Sequence, residues 1–540
     1  MLDMIKRHSA LALLLVAAGT SVGCAGEDAT TGDEDDLTST TARERGLSIE
    51  GYVYVKATAS DSQILAAVRK QNKSGFGALR EADISANNRE LSEIDAKSFA
   101  KEPVTIVDPK NPSAPGTPAL RVRYKYTDCA LVPISMARRS AFNMALLQGN
   151  YDLQTKRILT ECTGNTAHDK EFESAIWYVF NPSLPQCKEA ISKEQQTIDD
   201  ARKGLTDPGK QIVAEEMNRL YLPVTARLEA TSTSTKKTYP EYDRLWSGGV
   251  QPGKVVISIV GGVMADWAAG ETPSILEDMG YTAFFEQMRE ITKARPNLEL
   301  VSAEGVDLTT FTVGTKTVKG ATWADLSSWE LGKTGYPSNI TSSADRLALR
   351  KAVADKIYKH WLRFEAPFSV KIGKDAAKDV TVVINTYYGA ETDETPHRRA
   401  INTSDVVIYN GHSYIGSGPL DPIRYDSSDF PGTYQLFFFN SCVSFNYYEK
   451  DFFKMKPGGE DNLDMVTNGL ESWLSGSGAA MGKFVGALLN GKQISYKDIL
   501  DATAKGAPGY DVGQDPLRVV DGELGNKYKP STTPIVVTAK

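Results

Sequence analysis

Between Lys254 and Thr467 the chain places five nearly continuous apolar runs: KVVISIV (254–260), VTVVINTYY (380–388), DVVIYN (405–410), YQLFFFN (434–440) and LDMVT (463–467). Runs this short, rich in β-branched and aromatic residues and without polar alternation, suit strands buried on both faces. Helical patterns separate them. FFEQMREITKARP (284–296) leads into a further strand-like run, LELVSAE (298–304). Ser342 with Asp345 forms a capping-box pattern ahead of Leu349, Val353, Ile357 and Trp361, which recur every four residues. The alternation predicts an α/β layer fold over residues 241–540, a mostly parallel sheet sandwiched by helices. In such sheets, ligands and catalytic groups gather at the carboxyl ends of the strands.

The N-terminal half has a different texture. GYVYVKATAS (51–60) and ALRVRYKYT (119–127) alternate as half-exposed strands do, whereas SQILAAVRKQ (62–71), ISMARRSAFNMALLQG (134–149) and EAISKEQQTIDDARKGL (189–205) have helical patterns. Residues 45–230 therefore read as a separate α+β domain, and TSTSTKKTYP (231–240) as the linker that follows it.

The first residues read as an export signal. Lys6 and Arg7 precede the apolar stretch ALALLLVAA (10–18), and Ser21-Val22-Gly23-Cys24 closes it. A small residue before Cys at this place resembles the bacterial lipobox, which implies removal of residues 1–23 and acylation of Cys24. Ala25 stands where an Asp would cue inner-membrane retention, so the expectation is the outer membrane. Residues 24–44 are acidic and nearly free of large apolar side chains, the composition of a flexible tether. Past residue 25 no apolar run approaches the about 20 residues needed to cross a bilayer. The formal net charge of −7 disfavours nucleic acid as a general partner.

Export permits disulfides. Cys129, Cys162 and Cys187 lie in one region, and Cys162–Cys187 is the expected pair because it closes a loop across the Asn-Pro and Leu-Pro turns at 181–186. These cysteines have no CxxC spacing, which argues against a metal site. Cys442 stands apart, directly after the strand-like run that ends at Asn440, with Ser441 between. Of the five histidines only His412 follows a strand in this way, after DVVIYN and Gly411. If both strands are parallel neighbours, both side chains emerge on one edge of the sheet. A nucleophilic thiol needs a base and its leaving group needs an acid, and imidazole supplies both near neutral pH. NYYEKDFF (446–453) is helical, so its amide dipoles should favour a thiolate at Cys442.

His412 in YNGHSYIGSG and Cys442 in FFFNSCVS, each after a buried strand and in this order, resemble the dyad of the caspase-like cysteine peptidases. That group contains the caspases, legumain, clostripain, gingipains and separase. The resemblance spans about residues 250–500, and the family commonly has Gly where this chain has Ser413, and Ala or Gly where it has Ser441. It implies a cysteine endopeptidase acting on peptide or protein substrates without a cofactor, with an oxyanion hole made by the backbone N–H groups of Ser413 and Cys442. The alternative is a non-catalytic surface lipoprotein that uses the fold as a binding or structural module. A hydrolase with Ser413 as nucleophile is disfavoured, because no His follows Ser413 as the usual chain order requires. Gly482-Lys483 lacks the first Gly and the Ser/Thr of a P-loop, and Gly458 to Asp464 lacks the spacing of a calcium loop, so it reads as a solvated turn.

If Cys24 carries the lipid, Cys24→Ala should move the protein from the detergent phase to the aqueous phase on phase partitioning.

Overall fold

The computed structural model describes residues 37–38, 42–111, 113–164, 167–231, 237–265, 272, 274–390, 392–472, 475–505 and 516–540. The expected signal peptide (1–23), the acylated Cys24, most of the acidic tether and the centre of the linker (232–236) lie outside these residues. The part of the tether that is described is strand: β1 (Leu37–Thr38), and the first residues of β2 (Ala42–Lys56).

In the N-terminal unit, β2 continues to Lys56 and pairs antiparallel along its whole length, from Ala42 opposite Pro133 to Lys56 opposite Ala119. The other long strands of this sheet, seven-stranded among the described residues, are β3 (Ala100–Ile106), β4 (Thr117–Pro133), β5 (Ala141–Leu147) and β6 (Tyr221–Ala230), in the order β5-β6-β2-β4-β3, with the short strands Ser85–Ala86 on β4 and Gln211–Ile212 parallel to β3. The helices α1 (Asp61–Lys73), α2 (Gly75–Arg80) and α3 (Pro185–Ala201) accompany it. Ser60 and Gln63 close a capping box on α1, where two orphan N-terminal donors are satisfied reciprocally. Cys162 and Cys187 form the expected disulfide. The expected helix over 134–149 is instead a turn followed by β5: Met144 to Leu147 are buried in ladder pairing with β6, which overrides a weak helical pattern.

The larger sheet has ten strands among the described residues. At its centre run β7 (Lys254–Gly262), β10 (Lys378–Ala390), β11 (Val406–Asn410), β12 (Gln435–Asn440) and β13 (Leu463–Asn468), reached past β8 (Glu299–Ala303) and β9 (Trp361–Ile372). With β14 (Arg518–Asp521) and β15 (Ile535–Ala539) added, the order is β1-β14-β13-β12-β11-β7-β10-β9-β8, and β15 pairs with β9. The five central strands are parallel, as their unbroken apolar runs require. The flanks are antiparallel, so the sheet is mixed rather than mostly parallel. The antiparallel flanks include β9, whose burial alternates more than that of the central strands. Trp361 opens β9 and does not extend the helix before it. The chain leaves that helix at Ile357, Lys359 turns with φ +61° and donates to the Tyr388 carbonyl, and Trp361 pairs across the strands with Tyr387.

Helices α4 (Met279–Ala294), α5 (Ser343–Ile357), α6 (Thr395–Thr403), α7 (Ser444–Met455), α8 (Ser477–Leu488) and α9 (Tyr496–Ala504) cover this sheet on both faces. Residue parity decides the face. Val406, Ile408, Leu436, Phe438 and Val466 pack with α4, α5, α8 and α9. Val407, Tyr409, Phe437, Phe439 and Met465 pack with α6 and α7, and this same apolar cluster continues into the N-terminal unit. Phe76 of α2 stacks on Tyr447 of α7 at 5.8 Å between ring centroids, and Asn446 Nδ2 donates to the carbonyls of Ala86 and Asn88 at 2.8 Å. The N-terminal unit has its own seven-stranded sheet and packs against the larger sheet through this shared cluster, and the molecule is a mixed α/β structure.

α8 lies close on α4 because its facing positions are glycines. A Cβ at Gly478 would meet the Ala283 carbonyl oxygen at 2.2 Å, and one at Gly482 the Gln287 carbonyl oxygen at 2.5 Å. Gly478→Val should therefore force the two helices apart and cost about 2–3 kcal/mol, read as a lower urea midpoint with an unchanged m-value.

Candidate active site at the ends of β11 and β12

β11 and β12 are parallel neighbours with Asn410 opposite Asn440. His412 and Cys442 each stand two residues further on, so equal registers deliver both to one edge of the sheet. Both are half-buried. The expectation that these two strands adjoin is met, and the two candidate residues are brought to the same end.

Beneath them lies a ladder of buried amides. Asn440 Nδ2 donates to Asn410 Oδ1 at 2.9 Å, and Asn468 Nδ2, at the end of β13, donates to Asn440 Oδ1 at 3.0 Å. Asn410 Nδ2 continues to Ser477 Oγ at 3.2 Å, and Arg518 Nε donates to Asn468 Oδ1 at 3.1 Å. Amide groups in a dry interior must find partners, and here each finds the next strand's. The ladder locks three strand ends into one level.

From Asn410 the chain turns at Gly411, where a Cβ would lie 2.2 Å from the Tyr409 hydroxyl. That hydroxyl donates to the His412 carbonyl at 2.8 Å, and the Tyr448 hydroxyl to the Ser413 carbonyl at 3.0 Å. The imidazole is held as well: Nε2 lies 3.1 Å from the Met264 carbonyl oxygen. A carbonyl oxygen only accepts, so Nε2 carries the proton and Nδ1 is the nitrogen left to take up or release one.

Cys442 enters α7 through a left-handed residue. Val443 has φ +52° and ψ +33°, a conformation that is uncommon for a β-branched side chain and costs about 1–3 kcal/mol. Ile415, on the His412 side, has φ +54°. The surroundings hold the turn in place: Ser444 Oγ donates to the Phe439 carbonyl at 2.7 Å and accepts the Asn468 N–H at 2.8 Å, and the Val443 N–H donates to Leu470 at 3.0 Å. With Tyr414 at φ +49°, three non-glycine residues beside the two candidate groups hold positive φ, conformations that are costly and that cluster at functional sites.

Electrostatics at the thiol run against the expectation from the helix dipole. Burial pushes the Cys442 thiol up, and the Glu471 carboxylate pushes it further, against hydrogen bonds from Ser472 and the charge of Arg80. The expected helix is present and begins two residues earlier, at Ser444, with no side chain capping it, and desolvation is the largest influence on the thiol. The rings of Tyr178, Tyr409 and Tyr448 lie within electrostatic reach of the thiol. The backbone N–H groups of Ser413 and Cys442 donate to no acceptor among the described residues. Among the described residues no group of three or more His, Cys, Asp or Glu is placed to hold a metal ion.

The amide ladder, the Tyr409 strut, the Met264 carbonyl and the Arg80–Glu471 pair escape the reading of the sequence. The ladder alone leaves a trace there, since three successive apolar strands end in Asn. Asn440→Leu should strip both neighbouring amides of a partner, destabilise the protein by about 3 kcal/mol in urea unfolding, and loosen the edge that carries His412 and Cys442. Comparisons with protein-family models, with curated proteins and with solved structures find no match to this chain.

Proposed function

We propose that residues 241–540 form a caspase-like domain and that the protein is a cysteine endopeptidase, exported and held to the cell envelope, at the outer membrane, by a lipid on Cys24. The observation that carries the catalytic reading is the register of β11 and β12, which sets His412 and Cys442 level on one sheet edge. The fixed tautomer of His412, the unpaired N–H groups of Ser413 and Cys442 and the strained residues beside them support it.

In this reading His412 Nδ1 takes the thiol proton as Cys442 Sγ bonds to the scissile carbonyl carbon. The carbonyl oxygen becomes an oxyanion that accepts from the N–H groups of Ser413 and Cys442. The C–N bond then breaks, the leaving amine takes the proton from His412, and an acyl-thioester remains. Water adds to the thioester with its proton passing to Nδ1, and the C–S bond breaks to release the carboxylic acid and restore the thiol. Side chains, backbone amides and water supply every proton and electron pair. A raised thiol pKa suits a dyad in which the proton leaves during attack rather than before it.

A second reading has a specific observation behind it. Cys442 is half-buried against the N-terminal unit and held neutral by its surroundings, as a packing cysteine would be in a non-catalytic surface lipoprotein.

The dyad reading expects Cys442→Ala to abolish hydrolysis of a mixed peptide library with little change in melting temperature, and His412→Ala to slow it by about 10²–10⁴-fold. Alkylation of Cys442 by iodoacetamide should accelerate with pH above the usual free-thiol range of about 8.5, because burial and Glu471 both favour the neutral thiol. Unchanged hydrolysis in Cys442→Ala would leave the binding-module reading standing.

A further inference from the structure

Asp278 is the N-cap of α4 and is 1% exposed. Capping uses one of its oxygens: Oδ1 accepts the N–H groups of Gly280 at 2.8 Å and Tyr281 at 3.3 Å. The same oxygen takes the Tyr388 hydroxyl, from β10, at 2.9 Å. Oδ2 has no part in the cap. It accepts the N–H groups of Met264 at 2.9 Å and of Ala265 at 2.7 Å, where the chain leaves β7. All five donors are neutral.

Met264 and Ala265 share the peptide unit that meets the imidazole. Its carbonyl oxygen lies 3.1 Å from His412 Nε2, and its N–H, on Ala265, donates to Asp278 Oδ2. In a trans peptide the N–H and C=O point in opposite directions within one plane. The carboxylate and the imidazole therefore hold this unit from its two ends, and fixing the N–H aims the carbonyl. Hydrogen bonds in series also polarise one another, so an amide whose N–H is bonded to a carboxylate accepts more strongly at its oxygen. The packing leaves little slack. A Cβ at Gly280 would meet the Gly262 carbonyl oxygen at 2.4 Å and Met264 Cγ at 3.0 Å, and one at Gly262 would meet Gly411 Cα, next to His412, at 3.1 Å. A helix cap alone needs neither the second oxygen nor this close approach.

We propose that Asp278 is the positioning residue of His412 and acts on it through the Met264–Ala265 peptide, so that a carboxylate, a peptide unit and an imidazole stand in series. Asp278 touches no substrate and takes no proton. It keeps the Met264 carbonyl on Nε2, so that Nε2 keeps its hydrogen and Nδ1 stays the nitrogen that exchanges one. It also places negative charge on the side of the ring where that charge stabilises the imidazolium formed during attack. The part played by the imidazolium rests on the peptidase reading above, whereas the hold on the tautomer does not. Capping α4 and holding the peptide use different oxygens of one carboxylate, so substitution can separate them.

The test uses the full chain with Asp278→Asn, which keeps the shape but offers only one acceptor oxygen, and Asp278→Ser, which keeps an oxygen to cap α4 and loses Oδ2. Nitrogen-15 spectra of histidine-labelled protein report the tautomer, with the His412 signals identified by their loss in His412→Gln. Wild type should carry the hydrogen on Nε2, and both Asp278 variants should show a mixture of the two tautomers. On a peptide that wild type cleaves, kcat should fall by about tenfold or more with KM within about twofold. In a His412→Ala background, Asp278→Ser should cost nothing further. Wild type with the hydrogen on Nδ1 would overturn the proposal without any variant. An unchanged tautomer in both variants, or an equal loss of kcat with and without His412, would overturn it too and leave Asp278 a helix cap. A mixed tautomer in the variants of a protein that cleaves no peptide as wild type would keep the positioning and overturn the peptidase reading.

Discussion

The amides of Asn410, Asn440 and Asn468, hydrogen-bonded edge to edge across three parallel strands, are what the geometry of the sheet end hangs on. Each sits at 4% exposure or less, where an unpaired amide would cost about 1–3 kcal/mol. Satisfying one another is the economical solution, and it has a geometric consequence. The three strands must finish level, so that the residues two places beyond, His412 and Cys442 among them, leave the sheet together. Ser477 and Arg518 extend the network to α8 and β14, which ties the edge to both sides of the sheet.

Above the ladder the chain accepts strain. Val443 and Ile415 adopt left-handed conformations that their branched side chains resist, and a shell of hydrogen bonds from Ser444, Leu470, Tyr409 and Tyr448 keeps the two turns in place. The result is a rigid mounting, with one imidazole nitrogen committed to the Met264 carbonyl and the other free to exchange a proton.

The N-terminal unit changes the meaning of this edge. Its α2 and the loop at 86–90 pack on α7, so the aromatic cluster under Cys442 is built from both halves of the chain. The same packing desolvates the thiol, brings Tyr178 to it and delivers Arg80 to Glu471. Burial then raises the thiol pKa, whereas a local reading of residues 446–453 expects the helix dipole to lower it.

Local pattern in the sequence was enough for some of this. Hydrophobic runs without alternation marked the five central strands and hence an α/β layer, and the one His and one distant Cys that follow such runs marked the candidate edge. The 162–187 disulfide and the helix after Cys442 were also within reach, because both depend on nearby residues. The antiparallel flanks were not, since β9 and β14 alternate or are short, and a helical period in 134–149 lost to pairing with β6. Neither were Arg80, Glu471 and the height of the thiol pKa. Periodicity records what a segment buries, but which strand becomes its neighbour, and which charge arrives from some 390 residues away, is set only when the core closes.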